Sequence, residues 1–414
     1  MLVVLAALFA ALFVSEAVEA FEEFPIFSRP VELCLLMLAP IVARVHLPDF
    51  TRNRLRSTIA LTTANLYLFL SFVGLILLNF ATAILPGTYL PDGDPKPVFI
   101  LTYRLVIFAS AMSLGIFLWP SCWRPILRLV LVVLLASVLW DMAYPATFSL
   151  ASGRAAGFQR NPNETALALV LLAAMAIEYR RVCLIDLVVL FLAFVGVFGT
   201  LSRGGMLMFA IILANYVYFT GRGRRLQQIV LAPAIVIVGI GLTQMTASSL
   251  IEWSGMFADS NAQHRLAILS FDDKVYEADD SRVSIVPYYL ALIEQSPIVG
   301  HGTGFSSALP LGAHNSYLGY WVNNGIFGLL FFVWFLVSLM VLSWRRGFTP
   351  GLVLAQLAMV AGLFFHALLE LTSFLVLSGM AAGISWCETV SATSVASSPR
   401  HPSAARLAAT EYGR

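Results

Sequence analysis

Three observations on this sequence predict an all-α polytopic membrane protein. Hydrophobic residues make up 59% of the 414 and charged residues only 12%, against roughly 45–50% and ~25% in soluble domains. The apolar residues fall in runs near the length that crosses a bilayer as a helix, about 20 residues. Arginines gather in alternate connections between those runs, the pattern that fixes orientation in membranes. The expectation is about 12 transmembrane helices and one long outer loop containing short amphipathic helices. A net charge of +2, spread over short loops, does not suggest a nucleic-acid partner.

Taken in order, the predicted spans are 1–18, 31–48, 58–82, 98–118, 126–143, 163–179, 182–201, 205–220, 226–246, 315–342, 350–369 and 371–390. The first lacks the basic start of a secretory signal and is followed by Glu16, Glu19, Glu22 and Glu23, so it reads as a retained span. Spans 182–201 and 205–220 are joined only through Ser202-Arg203-Gly204-Gly205, as a tight hairpin or as a span with a re-entrant piece. The two glycines are expected to make the reversal, since glycine tolerates positive φ and close backbone approach. Basic clusters at Arg52/Arg54/Arg56, Arg124/Arg128, Arg180/Arg181, Arg222/Arg224/Arg225, Arg345/Arg346 and Arg400/Arg406 are cytoplasmic by the positive-inside rule, and both termini with them. The chain then divides into N-terminal spans over 1–246, an outer loop over 247–314, C-terminal spans over 315–390 and a Ser/Ala-rich tail over 391–414 with a disordered composition. Cys34, Cys122, Cys183 and Cys387 show neither disulfide nor metal-ligand spacing.

Chemistry-bearing residues concentrate where the outer loop runs into the next span. The loop is acidic through Asp272, Asp273, Glu277, Asp279 and Asp280. A helical apolar pattern follows, ending at Pro297, and then a turn-like run with Gly300, Gly302 and Gly304. Outer arginines recur beside turn residues: Arg154 and Arg160 before Asn161-Pro162-Asn163, Arg203 before two glycines, and Arg282 after Asp279 and Asp280. Each alone suits a lipid headgroup or, for Arg282, a pairing with those aspartates. Together they suit a pyrophosphate, because guanidinium binds phosphate oxygens through several donors and keeps its charge. His314, followed by Asn315 at the start of a span, is either an interface residue or a general base for a hydroxyl proton. His301 is its rival; His264 and His366 are weaker ones. Asn161-Pro162 is a helix-start signal, and Gly325 with Gly328 suits close helix packing. Trp253, Tyr276, Tyr288 and Tyr289 suit either sugar stacking or the membrane interface.

In order and in side of the membrane, these pieces resemble the O-antigen ligase and polysaccharide polymerase superfamily of bacterial inner membranes. The resemblance rests on Arg154, Gly157 and Asn161-Pro162-Asn163; Ser202-Arg203-Gly204-Gly205; Arg282 through Pro297 to the glycine turn; His314-Asn315 with Tyr317 and Leu318; and Gly325 with Gly328. It implies a metal-independent, inverting glycosyltransferase without cofactors. The donor would be a glycan on undecaprenyl pyrophosphate, the acceptor lipid A-core or a second glycan, and the outer loop periplasmic. By the same resemblance Arg203 and Arg282 hold the pyrophosphate, and His314 activates the acceptor hydroxyl. Arg154, Arg160, Asn163, His301 and Asn315 are candidate substrate contacts. Two departures stand out: Asn323 occupies a position often acidic in the family, and Ile285-Val286-Pro287-Tyr288-Tyr289 replaces a segment that often carries tryptophan. A polymerase joining lipid-linked repeats shares all these motifs. A transporter without chemistry also suits a dozen spans, but its polar residues tend to lie in two similar halves rather than in one loop.

Overall fold

A computed structural model describes residues 96–119, 122–151, 153–220, 281–309, 312–365 and 368–397, with isolated positions between 14 and 81. The expected spans 1–18, 31–48 and 226–246 and most of 58–82 lie outside the described residues. So do the acidic stretch of the outer loop with Trp253, His264 and Tyr276, as well as His366 and everything beyond Ser397. Among the described residues every regular element is helical: α1 (Lys96–Leu118), α2 (Trp123–Ala143), α3 (Pro162–Ala176), α4 (Leu184–Gly199), α5 (Arg203–Thr220), α6 (Ser281–Gln295), α7 (Phe305–Ala308), α8 (Ser316–Arg345), α9 (Thr349–Ala361) and α10 (Thr372–Ser397). By length and composition, α2, α5 and α8 are long and apolar enough to cross a membrane. α10 runs past the boundary expected at 390. No proline interrupts it before Pro399.

The bundle is built around α3. From Thr165 to Ala176 its residues are wholly buried, as befits a helix that is apolar on every side. α2, α4, α5, α9 and α10 pack against it. α1 and α10 approach more closely than large side chains would permit. A Cβ on Gly115 would press on the Met380 backbone, one on Gly379 on the Phe108 carbonyl, and one on Gly383 on the Met112 carbonyl. Small residues let backbones meet where lipid provides no hydrophobic drive between helices.

Three of the predicted basic clusters share one end of this bundle. Arg124 pairs with Glu178 at 2.8 Å and Arg128 with the fully buried Asp186 at 2.9 Å. Trp123 packs edge-on against Phe348, just past Arg345 and Arg346. The turn between α4 and α5 lies at the other end and differs from expectation. The reversal is made at Thr200-Leu201, where Leu201 has φ 50°, while Gly204 and Gly205 already lie in the first turn of α5. Close approach is what requires glycine here: a Cβ on Gly205 would crowd the Ala166 methyl of α3.

Gly325 also acts differently from a packing residue. Gly325 adopts φ 66° and breaks α8, because the 297–302 turn is driven into the helix at that point. A Cβ on Gly325 would land on the Ile298 carbonyl, and one on Gly300 on the Gly325 nitrogen. The backbone groups freed by the break find new partners. His301 and Gly302 N–H donate to the Val322 and Asn323 carbonyls, both at 2.8 Å, and Ile326 N–H donates to the Pro297 carbonyl at 2.9 Å. Unmet, each such buried group would cost about 1–3 kcal/mol.

Candidate functional site

The arginine-bearing loop after α2 is organised by a buried carboxylate that is not among the residues expected from the sequence. Asp141, 1% exposed, accepts backbone hydrogen bonds from Phe148 (3.0 Å), Ala156 (2.8 Å) and Gly157 (3.3 Å). A carboxylate satisfying several buried N–H groups fixes a loop firmly. Its signal was an acid near the end of an otherwise apolar span. The loop then delivers Arg154, itself buried, whose Nε donates to the Thr200 carbonyl (2.9 Å) and whose Nη2 donates to Asn163 Oδ1 (2.8 Å). Ser202 Oγ donates to the same Oδ1 at 3.1 Å and accepts from Gly205 N–H at 3.3 Å, capping α5. Asn163 thus ties the Arg154 loop to the turn that carries Arg203, the first residue of α5.

Asn161 and Pro162 start α3 as the sequence predicts. The Asn161 side chain accepts from Asn163 N–H at 3.0 Å and donates to Glu164 at 2.8 Å. Arg160 is exposed, in a left-handed conformation that closes the preceding 3-10 turn (Gly157–Gln159).

His314 is held from the opposite side. Asn315 caps α8 by accepting from Leu318 N–H at 3.1 Å, and Ser316 is stitched to the segment after α9. Its N–H donates to the Gly362 carbonyl and its hydroxyl to the Phe365 carbonyl, both at 2.7 Å, while the hydroxyl accepts from Leu368 N–H at 3.0 Å. Clamped between this cap and the buried Ala313, the exposed His314 takes φ 42°. Non-glycine residues seldom adopt that conformation, which here, as at Leu201 and Arg160, turns the chain.

These pieces converge. A cavity of about 140 Å³ is lined by His314, Asn161, Asn163, Glu164, Phe364 and Glu370, among others. A Cβ on Gly204 would touch Phe364, so the residue after Arg203 lies against the same wall. Glu370 also lines a second cavity of about 430 Å³, with Ser306, Ser307, Tyr320 and Asn323, and it pairs with Arg104 of α1 at 3.2 Å. Glu370, Glu164 and Arg104 were not singled out in the sequence, because each stands alone in an apolar or turn context.

Two other residues find structural work. His301 Nε2 lies 2.8 Å from the Leu292 carbonyl, which can only accept, so Nε2 carries the proton; the ring stacks on Phe305 at 4.6 Å. Tyr289 is wholly buried between α6 and α8, in a cluster with Ile285, Ile293, Ala313 and Val322. It is therefore not a surface on which a sugar stacks, and burial pushes its phenol up to about 12. Arg282 lies in the first turn of α6.

Buried apolar helices with a polar, histidine-containing cavity at one end of the bundle define a helical membrane protein with a built site. The O-antigen ligase family model matches residues 188–333, a segment that holds Arg203, Arg282, His301, His314 and Asn315. That match bears out the resemblance to the O-antigen ligase superfamily; Arg154 and Asn163 precede it. No curated protein matches the chain.

Proposed function

We propose that this chain is a membrane glycosyltransferase of the O-antigen ligase type. It transfers a glycan from undecaprenyl pyrophosphate to an acceptor hydroxyl, of lipid A-core in the ligase reading, at the periplasmic face of the inner membrane. The observation that carries the proposal is the shared cavity: His314 lies in it with Asn163, and Asn163 also fixes Arg154 and the Ser202-Arg203 turn.

In this reading Arg203 and Arg282 neutralise the pyrophosphate, and Arg154 and the N-terminal end of α3 add favourable potential. His314 accepts the proton of the acceptor hydroxyl. The hydroxyl oxygen bonds to the anomeric carbon as the bond from that carbon to the pyrophosphate oxygen breaks, and undecaprenyl pyrophosphate leaves with the electron pair. Attack opposite the leaving group inverts the anomeric centre. No step needs a metal or another cofactor. General-base assistance is worth about 10²–10⁴-fold and charge stabilisation at the leaving group about as much.

Separate replacement of Arg203, Arg282 and His314 by Ala tests the proposal. Each variant should lose surface glycan while its membrane level stays normal. Retained glycan in His314→Ala would remove the base from this mechanism. Gel analysis of a deletion strain separates ligase from polymerase: bare lipid A-core with long chains accumulating on the carrier fits a ligase. Single repeats on the acceptor fit a polymerase.

A further inference from the structure

We propose that the 430 Å³ cavity between α7 and α8 binds the sugar ring that presents the acceptor hydroxyl, and that Glu370 holds that ring by accepting a hydrogen bond from a neighbouring hydroxyl. This deepens the glycosyl-transfer reading and rests on it. The volume lies in the range of small-molecule pockets, roughly 300–1,000 Å³. Its lining selects the ligand. Ser306, Ser307 and Asn323 offer hydroxyl and amide groups, and among the described residues on the wall the charged one is Glu370. A pyrophosphate finds no cation among the described lining residues, whereas a neutral polyhydroxylated ring meets both donors and acceptors.

One feature points to an occupant. Glu370 is charge-compensated by Arg104 through one oxygen, yet its side chain stays 47% exposed. A carboxylate offers about four acceptor positions, so the pairing leaves capacity for a ligand. Tyr320 is 7% exposed and stacked on Phe332 at 4.8 Å. Phe332 covers its ring face, so Tyr320 shapes the wall without offering a stacking surface.

Position completes the argument. Glu370 borders the His314 cavity as well, so a ring seated on it in the larger cavity has adjacent hydroxyls beside the base. Proton transfer is to His314, and Glu370 serves binding only.

The test uses the full chain in native membrane vesicles with a photo-crosslinker, Ser307→p-benzoylphenylalanine. One set of vesicles contains lipid A-core and no undecaprenyl-linked glycan, and the other the reverse. Irradiation should give adducts in the first set and few in the second. Adducts confined to the second set, equal yields in both, or no more than the same replacement gives at exposed Leu330 would overturn the assignment. Kinetically, Glu370→Gln should raise the acceptor KM about tenfold, the loss of one hydrogen bond to a charged group, with the donor KM unchanged. Ser307→Trp, which fills the cavity from an exposed position, should do the same without touching the Arg104 pair. Equal rises in both KM values, or none, would also overturn it. Crosslinking does not depend on turnover. Retained transfer in His314→Ala would therefore sink the mechanism alone, and a missing adduct beside His314-dependent transfer would sink the subsite alone.

Discussion

The two ends of the bundle treat charge in opposite ways. At the basic end, Arg128 is locked to Asp186, a carboxylate with no exposure, and Arg124 to Glu178. At the other end Arg154 is held by a carbonyl and an amide oxygen, His314 is exposed in a left-handed conformation, and the paired Glu370 stays almost half open. Ion pairs between neighbouring segments fasten the first end. Polar groups arranged around open space are kept for something that arrives. The same residue types therefore serve packing at one end and binding at the other.

The largest expected effect separates the ends outright. His314→Ala should lower transfer by at least 10²-fold, measured as glycan moved per folded molecule in vesicles, with the melting temperature unchanged. Asp186→Ala should do the reverse. Removing the partner of the part-buried Arg128, which keeps its bond to the Ala176 carbonyl, costs about 1–3 kcal/mol, seen as a fall in melting temperature in detergent, while the molecules that stay folded keep their turnover. Activity loss in proportion to stability for both variants would erase the contrast.

Gly325→Ala should cost about 2–3 kcal/mol, since alanine is strained at φ 66° and its methyl meets the Ile298 carbonyl. Faster proteolysis near 298–302 would report it. Asn163→Ala removes one acceptor shared by Arg154 and Ser202. A stability loss of about 1–2 kcal/mol is expected, with a fall in transfer exceeding it, because both arginine-bearing turns loosen.

The smallest effect is one of pH. Burial raises the Tyr289 phenol from 10 to about 12. The neutral form is favoured in the fold, so its contribution is complete below pH 10 and fades as pH rises from 10 through 12. Protection of α6 amides, taken as exchange relative to the intrinsic rate at each pH, should fall across that window and not below it, and Tyr289→Phe should abolish the dependence while changing little at pH 7.

Much of this was legible in the chain itself. Composition and the spacing of apolar runs determined a helical membrane protein, because a bilayer permits little else for such runs. The start of α3 at Asn161-Pro162 and the close of α6 before Pro297 were readable because caps and prolines act locally. So were the candidates Arg203, Arg282 and His314, since guanidinium and imidazole carry their chemistry wherever they stand. What the tertiary structure decided depends on partners distant in sequence. Gly325 breaks a helix only because Ile298 lies against it, and Asp141 gains its loop by reaching Ala156. His301 is taken up by Leu292. Glu370, an isolated acid in a row of leucines, becomes a wall of two cavities only when α1 and α8 come together around it. No local pattern encodes such meetings, because their energies arise from groups that the sequence keeps far apart.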